Sequence, residues 1–178
     1  MIYTYKYNSP LGILTIASNG EALTGLWLDG QKYFGDTMMN DKWQEKVLPI
    51  FEKTAAWLDI YFSGKNPCFV PPLLFNTSPF RKMVWDILLT IPYGNTMTYG
   101  EIARNIAEKT GIEKMSAQAV GGAVGHNPIS IIVPCHRVVG TNGSLTGYAG
   151  GIERKVKLLE FENTDMSRFF IPKKGAAL

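Results

Sequence analysis

The sequence has few of the residues that metal centres and disulfide scaffolds require. Its 178 residues include two histidines and two cysteines, Cys68 and Cys135, and these four residues do not have the spacing of a zinc site. A disulfide between the two cysteines stays open, but an intracellular protein with one functional thiol is the simpler interpretation. We therefore expect no metal and no cofactor.

Long apolar runs, a glycine-rich phosphate loop and internal repeats are also absent from the sequence. No apolar run approaches the ~18 residues needed to span a bilayer, and residues 1–6 lack the basic and apolar segments of a signal peptide. A composition of 46% hydrophobic and 19% charged residues is ordinary for a globular protein. We expect a cytoplasmic, monomeric protein without membrane contact.

The positive charge is concentrated in the second part of the chain. Residues 1–75 carry 6 Lys+Arg against 7 Asp+Glu, whereas residues 76–178 carry 12 against 8. A cationic excess fits a phosphate-binding surface, and solvated surface charge explains an excess of this size nearly as well.

The first part of the chain predicts a small antiparallel meander and one helix. Apolar residues at helical spacing predict the helix from about Gln44 to Phe62, and a stiff proline-rich segment, residues 69–72, follows it. Three patches of β-forming residues, separated by turn residues, predict the strands: Ile2 to Tyr7, Ile13 to Ala17 and Ala22 to Leu28.

The second part predicts a mainly helical domain, so the expected fold class is α/β (α+β). We place the first domain at residues 1–75, the second at 76–165 and a tail at 166–178. Capping signals and proline predict three helix starts, and a fourth helix follows: Ser78-Pro79 to about Ile91, Thr98 to about Lys109, Ser116 to about Gly125, and Ile152 to about Glu162.

The helices that begin at Thr98 and Ser116 indicate a helix-turn-helix, with two packed helices of any small domain as the alternative. The second of them, from Ala117 to Gly125, contains three glycines, and each costs about 1 kcal/mol relative to alanine in a helix interior. Small residues let another backbone come close. The glycines therefore indicate either tight packing in the protein or a helix laid against a nucleic-acid groove.

A cysteine stands directly before a histidine in the segment Pro134-Cys135-His136-Arg137-Val138. The apolar run from Ile129 to Val133 predicts a buried strand that the proline ends, so we expect the thiol at a turn. A nearby imidazole or cation lowers a cysteine pKa and favours the nucleophilic thiolate. Taken alone, the pair is equally compatible with a small buried cysteine beside a surface histidine.

Four segments together resemble the O6-alkylguanine-DNA alkyltransferases, also called methylated-DNA–protein-cysteine methyltransferases. Their order and intervals match that family from about Ser78 to Glu162, nearly half of the chain. The predicted meander and first helix also fit the family's ribonuclease-H-like N-terminal domain. The four segments are residues 119–123 (AVGGA), 127–128 (NP), 134–138 (PCHRV) and 147–151 (GYAGG).

The resemblance implies a single-turnover DNA repair protein. Such a protein binds the minor groove of double-stranded DNA through a helix-turn-helix and flips out an alkylated guanine. It then moves the alkyl group from O6 of that guanine irreversibly to a cysteine, and O4 of thymine could serve as a second substrate. By match of position Cys135 is the acceptor, His136 removes its proton through a water molecule, and Glu162 orients the histidine. Asn127 holds the reactive turn, and Tyr99 donates a proton to the departing guanine.

The resemblance also implies which residues contact DNA and the flipped base. The family usually inserts an arginine where the flipped base was, and this chain has Gln118 there, so we expect weakened flipping or DNA affinity rather than lost activity. The zinc site of some members has no equivalent, because residues 1–75 contain no histidine. The expected DNA contacts are Thr98, Ala117, Gln118, Ala119, Gly121 and Arg137. The expected pocket residues are Val133, Tyr148, Ala149 and Gly150.

Two other functions compete with alkyl transfer. A non-catalytic sensor would bind alkylated bases without reacting, although the related sensors have tryptophan in place of Cys135. A cysteine hydrolase would use Cys135 and His136, but the sequence shows no clear oxyanion hole.

Overall fold

A computed structural model describes residues 1–173 of the chain. Its first part confirms the predicted antiparallel meander. Tyr5 lies opposite Ile16, and Ile16 lies opposite Leu26, so alternate side chains of neighbouring strands enter the core together. The three strands are β1 (Ile2–Ser9), β2 (Gly12–Ser18) and β3 (Leu23–Leu28).

A fourth strand, β4 (Trp43–Glu45), pairs in parallel with the beginning of β1. The prediction of a helix from Gln44 was therefore wrong about its start, and helix α1 runs over Pro49–Phe62. A residue before proline is disfavoured in the helical conformation, and Leu48 is extended, with φ −132° and ψ 151°. Pro49 then takes the first helical position, where its missing N–H costs nothing.

Within residues 1–173, four more α-helices belong to the second part of the chain. The three predicted N-caps, Ser78, Thr98 and Ser116, each accept a hydrogen bond from a backbone N–H in the first turn, and Thr98 forms the predicted capping box with Glu101. Gly111 ends its helix in the left-handed conformation, which glycine adopts without strain. The helices are α2 (Pro79–Leu88), α3 (Tyr99–Thr110), α4 (Ala117–Gly125) and α5 (Ile152–Phe161).

One apolar core includes side chains from both parts of the molecule. Strands β5 (Met97–Thr98) and β6 (Val138–Val139) pair in parallel and join the beginning of α3 to the segment that follows Cys135. The backbone of Leu26 in β3 bonds to Pro128 and Ser130, both at 2.8 Å. The sheet therefore directly supports the segment that precedes Cys135.

The described part of the predicted tail packs on the core. Phe169 packs against a small apolar cluster that includes Val139, Leu145 and Leu159, and the backbone of Phe170 bonds to that of Leu145. The remainder of the predicted tail, residues 174–178, lies outside the described residues. No helix within residues 1–173 is long and apolar enough to cross a membrane.

Candidate active site

Cys135 follows a tight, buried turn. The prediction of a strand over Ile129 to Val133 was wrong: the Val133 N–H bonds to the Ile129 carbonyl at 3.0 Å, and Ile131 has a φ of +72°. All five side chains are buried, as predicted, because a short apolar run indicates burial without separating a strand from a turn. Cys135 begins a 3₁₀ turn over Cys135–Arg137 and is 3% exposed.

Asn127 ties this turn together with its side-chain amide. Its Nδ2 donates to the Val133 carbonyl at 2.8 Å, and lies 3.1 Å from the Cys135 Sγ, while its Oδ1 accepts from the Ile129 N–H at 3.0 Å. A β-branched residue at positive φ costs of order 1–3 kcal/mol and persists only where its surroundings impose it. The Asn127 bonds on either side of Ile131 supply that constraint.

His136 and Glu162 form a buried pair beside the thiol. His136 Nε2 lies 2.6 Å from Glu162 Oε1, and both side chains are fully enclosed. His136 Nδ1 has no hydrogen-bond partner within residues 1–173. Glu162 is the residue that follows α5, so a carboxylate that would ordinarily be a solvated helix end is instead inside the protein.

The Glu162 carboxylate accepts hydrogen bonds from four residues. Arg137 donates through Nε at 2.8 Å and Nη2 at 3.0 Å, the Gly94 N–H donates at 3.1 Å, and the Tyr61 hydroxyl donates at 2.8 Å. His136 is the fourth. Such a set satisfies nearly all the acceptor capacity of a buried carboxylate.

Arg137 does not have the surroundings that a DNA contact needs. It is 8% exposed, and its remaining Nη1 donates to the Ile91 carbonyl at 2.6 Å. The ion pair with Glu162 explains this placement, because a buried carboxylate needs a paired cation. The guanidinium is therefore engaged inside the protein, in contrast to the expectation that it faces DNA.

The pKa shifts of the three groups follow from burial and from these contacts. Burial raises the pKa of the Cys135 thiol, although the Asn127 bond and the Lys155 charge oppose the shift. Burial lowers the pKa of His136, and Glu162 opposes that shift. Burial alone would raise the pKa of Glu162, but the contacts with His136 and Arg137 lower it to about 2. At neutral pH the site thus holds a thiol, a neutral imidazole and a carboxylate.

Two residues of the site have no signal in the sequence. The sequence indicates an exposed cation at Lys155 in α5. In the structure the side chain is fully buried and donates to the Val138 and Thr146 carbonyls at 2.5 and 2.8 Å. Burial lowers its pKa to about 8. Tyr61 lies on the apolar face of α1, which indicates burial but not a partner such as Glu162, 101 residues further along the chain.

Two of the residues expected to line the base pocket lie close to Cys135: the Val133 carbonyl accepts from the Cys135 N–H at 2.8 Å, and Cys135 adds to the rise in the pKa of Tyr148 that burial causes. Val133 is buried, and Tyr148, Ala149 and Gly150 are half-buried. A Cβ added to Gly150 would meet the Tyr148 ring at 2.7 Å and Leu28 at 2.9 Å, so a larger residue would require these side chains to shift.

Tyr99 approaches the same loop from the beginning of α3. Its side chain is 5% exposed, and its hydroxyl donates to the Gly147 carbonyl at 3.2 Å. Burial raises the pKa of Tyr99, and the nearby Cys135 raises it further. The phenol therefore stays protonated at neutral pH and is able to donate.

The residues expected to contact DNA fall into two groups. Ala117, Gln118 and Ala119 are exposed at the beginning of α4, and the first two border an open groove between α3 and α4. Gly121 is buried on the opposite face, and the Thr98 hydroxyl is committed to the capping box. Gly122, absent from the expected set, is exposed.

Profiles of two protein domains match the chain over most of its length. The domain described as "6-O-methylguanine DNA methyltransferase, ribonuclease-like domain" matches residues 1–75. The domain described as "6-O-methylguanine DNA methyltransferase, DNA binding domain" matches residues 79–164.

Proteins described as methylated-DNA–protein-cysteine methyltransferases are similar to the chain along nearly its whole length. A methylated-DNA–protein-cysteine methyltransferase of Haemophilus influenzae is 42% identical over 164 residues, which are 91% of this chain and 86% of the relative. The Mycobacterium bovis protein of that description is 44% identical over 92% of this chain and 94% of its own. The crystal structure of Mycobacterium tuberculosis OGT in complex with DNA superposes with a TM-score of 0.77 at 42% identity, covering 94% of each chain.

Proposed function

The chain belongs to the 6-O-methylguanine DNA methyltransferase family, and we propose that it repairs DNA by moving an alkyl group from O6 of guanine to the Sγ of Cys135. The transfer is irreversible, so each molecule acts once. The observation that carries this proposal is the buried Cys135 directly before His136 in the chain, with His136 Nε2 held 2.6 Å from Glu162 Oε1.

The thiol needs a base because burial raises its pKa. Glu162 is an acceptor only, so the proton between it and His136 belongs to Nε2, and the neutral ring has its lone pair on Nδ1. That nitrogen takes the Cys135 proton through a water molecule. Lys155, a buried cation whose charge acts on the thiolate, and the Asn127 amide stabilise the sulfur anion that forms.

The thiolate attacks the alkyl carbon, the new S–C bond forms, and the bond between that carbon and O6 breaks. The electron pair of the broken bond remains on the guanine, which takes a proton from the Tyr99 hydroxyl. The Tyr99 phenolate then recovers a proton, ultimately the one that His136 removed from Cys135, so no external oxidant or reductant is required. A neutral leaving group lowers the barrier because no charge develops on the departing base.

DNA binds to the exposed beginning of α4, with α3 and α4 acting as a helix-turn-helix in the minor groove. A guanine inside the stack cannot reach the buried Sγ, so it leaves the duplex at a cost of a few kcal/mol. Gln118 fills part of the space left behind, without the planar cation of an arginine. Gln118→Arg should therefore tighten binding to a lesion-containing duplex or accelerate transfer, and a variant unchanged in both would contradict this role.

The residues fall into two domains, 1–75 and 76–165, and the protein acts as a monomer in the cytoplasm. O4-alkylthymine is a second substrate of the same pocket. These assignments extend the main proposal, and the transfer experiment does not depend on them.

Intact-protein mass spectrometry separates this function from the alternatives. The protein is incubated with a duplex that contains one O6-methylguanine and with an unmodified duplex as the control. A gain of one methyl group with the damaged duplex alone is the expected result. Tight binding of the damaged duplex without a mass change would identify a lesion sensor, and repeated turnover of a small ester would identify a hydrolase.

A further inference from the structure

Tyr61 joins the N-terminal helix α1 to the buried pair beside the thiol. Its hydroxyl donates to Glu162 Oε1 at 2.8 Å and lies 3.3 Å from His136 Nε2. The side chain is fully buried and is fixed by Trp57, whose ring stacks on it at 5.3 Å, and by Tyr93, which meets it edge-on at 6.0 Å. Its position is therefore set by packing rather than by the hydrogen bond alone.

The directions of these hydrogen bonds follow from the chemistry of the three groups. Glu162 is a carboxylate, so it accepts from both His136 Nε2 and the Tyr61 hydroxyl. The single Tyr61 proton is used on Oε1, which leaves an oxygen lone pair for the proton on Nε2. Both neighbours of Nε2 are then acceptors, and this arrangement excludes the tautomer with the proton on Nδ1.

We infer that Tyr61 is a positioning residue for alkyl transfer, whose hydroxyl holds Glu162 Oε1 against His136 Nε2 and thereby keeps Nδ1 free to take the Cys135 proton. This inference rests on the proposed function. It makes a residue of the ribonuclease-like part of the chain necessary for chemistry that the other part performs.

The hydroxyl also sets how strongly Glu162 attracts a proton. With the Tyr61 donor removed, Oε1 keeps more negative charge close to Nε2, so the imidazolium is favoured and the pKa of His136 rises. The charged groups that act on the His136 ring are Glu162, Arg137 and Lys155, and Tyr61 contacts the ring at Nε2. Of these, only Tyr61 is changed in the variant below.

Tyr61→Phe in the full-length protein tests the inference, with Tyr7→Phe as a matched control. The Tyr7 hydroxyl donates to Asp59 on the same helix at 2.6 Å, so its loss also frees α1 from one tyrosine–carboxylate bond, away from the site. For each protein we would measure the methyl-transfer rate against pH and the ¹⁵N resonances of the histidine rings. His126→Gln assigns the two rings, because the chain has two histidines.

We expect the acid limb of the rate profile to move to higher pH in Tyr61→Phe, with a raised His136 titration midpoint. We also expect the plateau rate to fall roughly tenfold, a fraction of the about 10²–10⁴-fold that a positioned general base contributes. Tyr7→Phe should match the wild-type protein in both. A fall in the plateau alone, with the limb and the His136 resonances unchanged, overturns the inference, as does an equal displacement in Tyr7→Phe.

The wild-type protein supplies a test that needs no folded variant. Its His136 ring should show a protonated Nε2 and a bare Nδ1 at neutral pH, and the opposite tautomer overturns the inference. Failure of the wild-type protein to methylate Cys135 would instead refute the proposed function, and a comparison of the His136 resonances between the wild-type protein and Tyr61→Phe would still test the role of Tyr61.

Discussion

Cys135 depends on its neighbours for both its position and its reactivity. Burial raises the pKa of the thiol, so under the proposed function the nucleophile forms when His136 takes the proton and Asn127 and Lys155 stabilise the anion. Four side chains of the site are costly to bury: His136, Arg137, Lys155 and Glu162. The first two bond to Glu162, and Lys155 bonds to backbone carbonyls.

Asn127→Ala should slow methyl transfer about 100-fold, because the turn that carries Sγ loses the four hydrogen bonds of this side chain and misplacement of a reacting group by about 1 Å costs that much. The free energy of unfolding should fall by about 1–3 kcal/mol, the cost of leaving buried partners unsatisfied. Single-turnover kinetics and denaturant unfolding measure the two effects. Asn66→Ala, in an exposed loop, is the control, and an equal loss of rate there would contradict the role of Asn127.

Glu162 should make the protein acid-sensitive. Its pKa is about 2 in the folded state against 4.5 for an ordinary glutamate. At pH values above the pKa of the unfolded state, this difference contributes about 3 kcal/mol to the free energy of unfolding. That contribution is lost as pH falls from about 4.5 to about 2, since the unfolded chain binds the proton first. Glu162→Gln should be less stable at neutral pH, because it leaves Arg137 buried without its anion, and its stability should vary less with pH over this window. Glu160→Gln, exposed and two residues earlier, should keep the wild-type slope.

At the scale of elements, α4 is the helix whose composition conflicts most with its own stability. Gly121 is buried and Gly122 is exposed. Tight packing in the protein therefore explains the glycine on the buried face of α4 and does not explain the one on its open face. A Cβ added to Gly122 would meet no described atom within 4 Å. No contact within residues 1–173 therefore explains a glycine at that position, and the DNA binding proposed for α4 would explain it by the close approach of a nucleic-acid backbone.

Gly122→Ala should stabilise the protein by about 1 kcal/mol, the difference in helix propensity between the two residues, and should weaken DNA binding. Thermal unfolding and titration of a labelled duplex measure the two effects separately. A variant with increased stability and unchanged DNA affinity would mean that this face of α4 does not approach DNA closely.

Local signals in the sequence predicted the elements that local chemistry determines. The caps at Ser78, Thr98 and Ser116 were predicted because each is completed within four residues. The turn over Ile129 to Val133 was not, because long-range bonds from Leu26 and the amide of Asn127 impose it. Apolar composition alone does not distinguish a buried strand from a buried turn of this kind.

At the scale of the whole molecule, the two parts share one core and one site. Apolar side chains of β2, β3, α1 and all the later helices belong to the same buried cluster, and Tyr61 reaches Glu162 across it. The resemblance implied Cys135, His136 and Glu162 from their order in the sequence. Pairing with Tyr61, Gly94 or Lys155 could not be foreseen, because it depends on tertiary contacts.

A shared core should give one cooperative unfolding transition. Tryptophan fluorescence and far-ultraviolet circular dichroism should report the same midpoint, since Trp57 lies in α1 and Trp85 in α2 and both are buried in the same cluster. Two separated transitions, one for each part of the chain, would contradict this view and also weaken the coupling attributed to Tyr61.

The most direct test is to compare, in one reaction, the amount of O6-methylguanine lost from a duplex with the amount of methylated Cys135 recovered by peptide mapping. We predict equal molar amounts, with repair ending when the protein is consumed and with none in Cys135→Ser. Loss of the lesion without a methyl group on Cys135, or repair that continues beyond one event per molecule, would contradict the proposed chemistry.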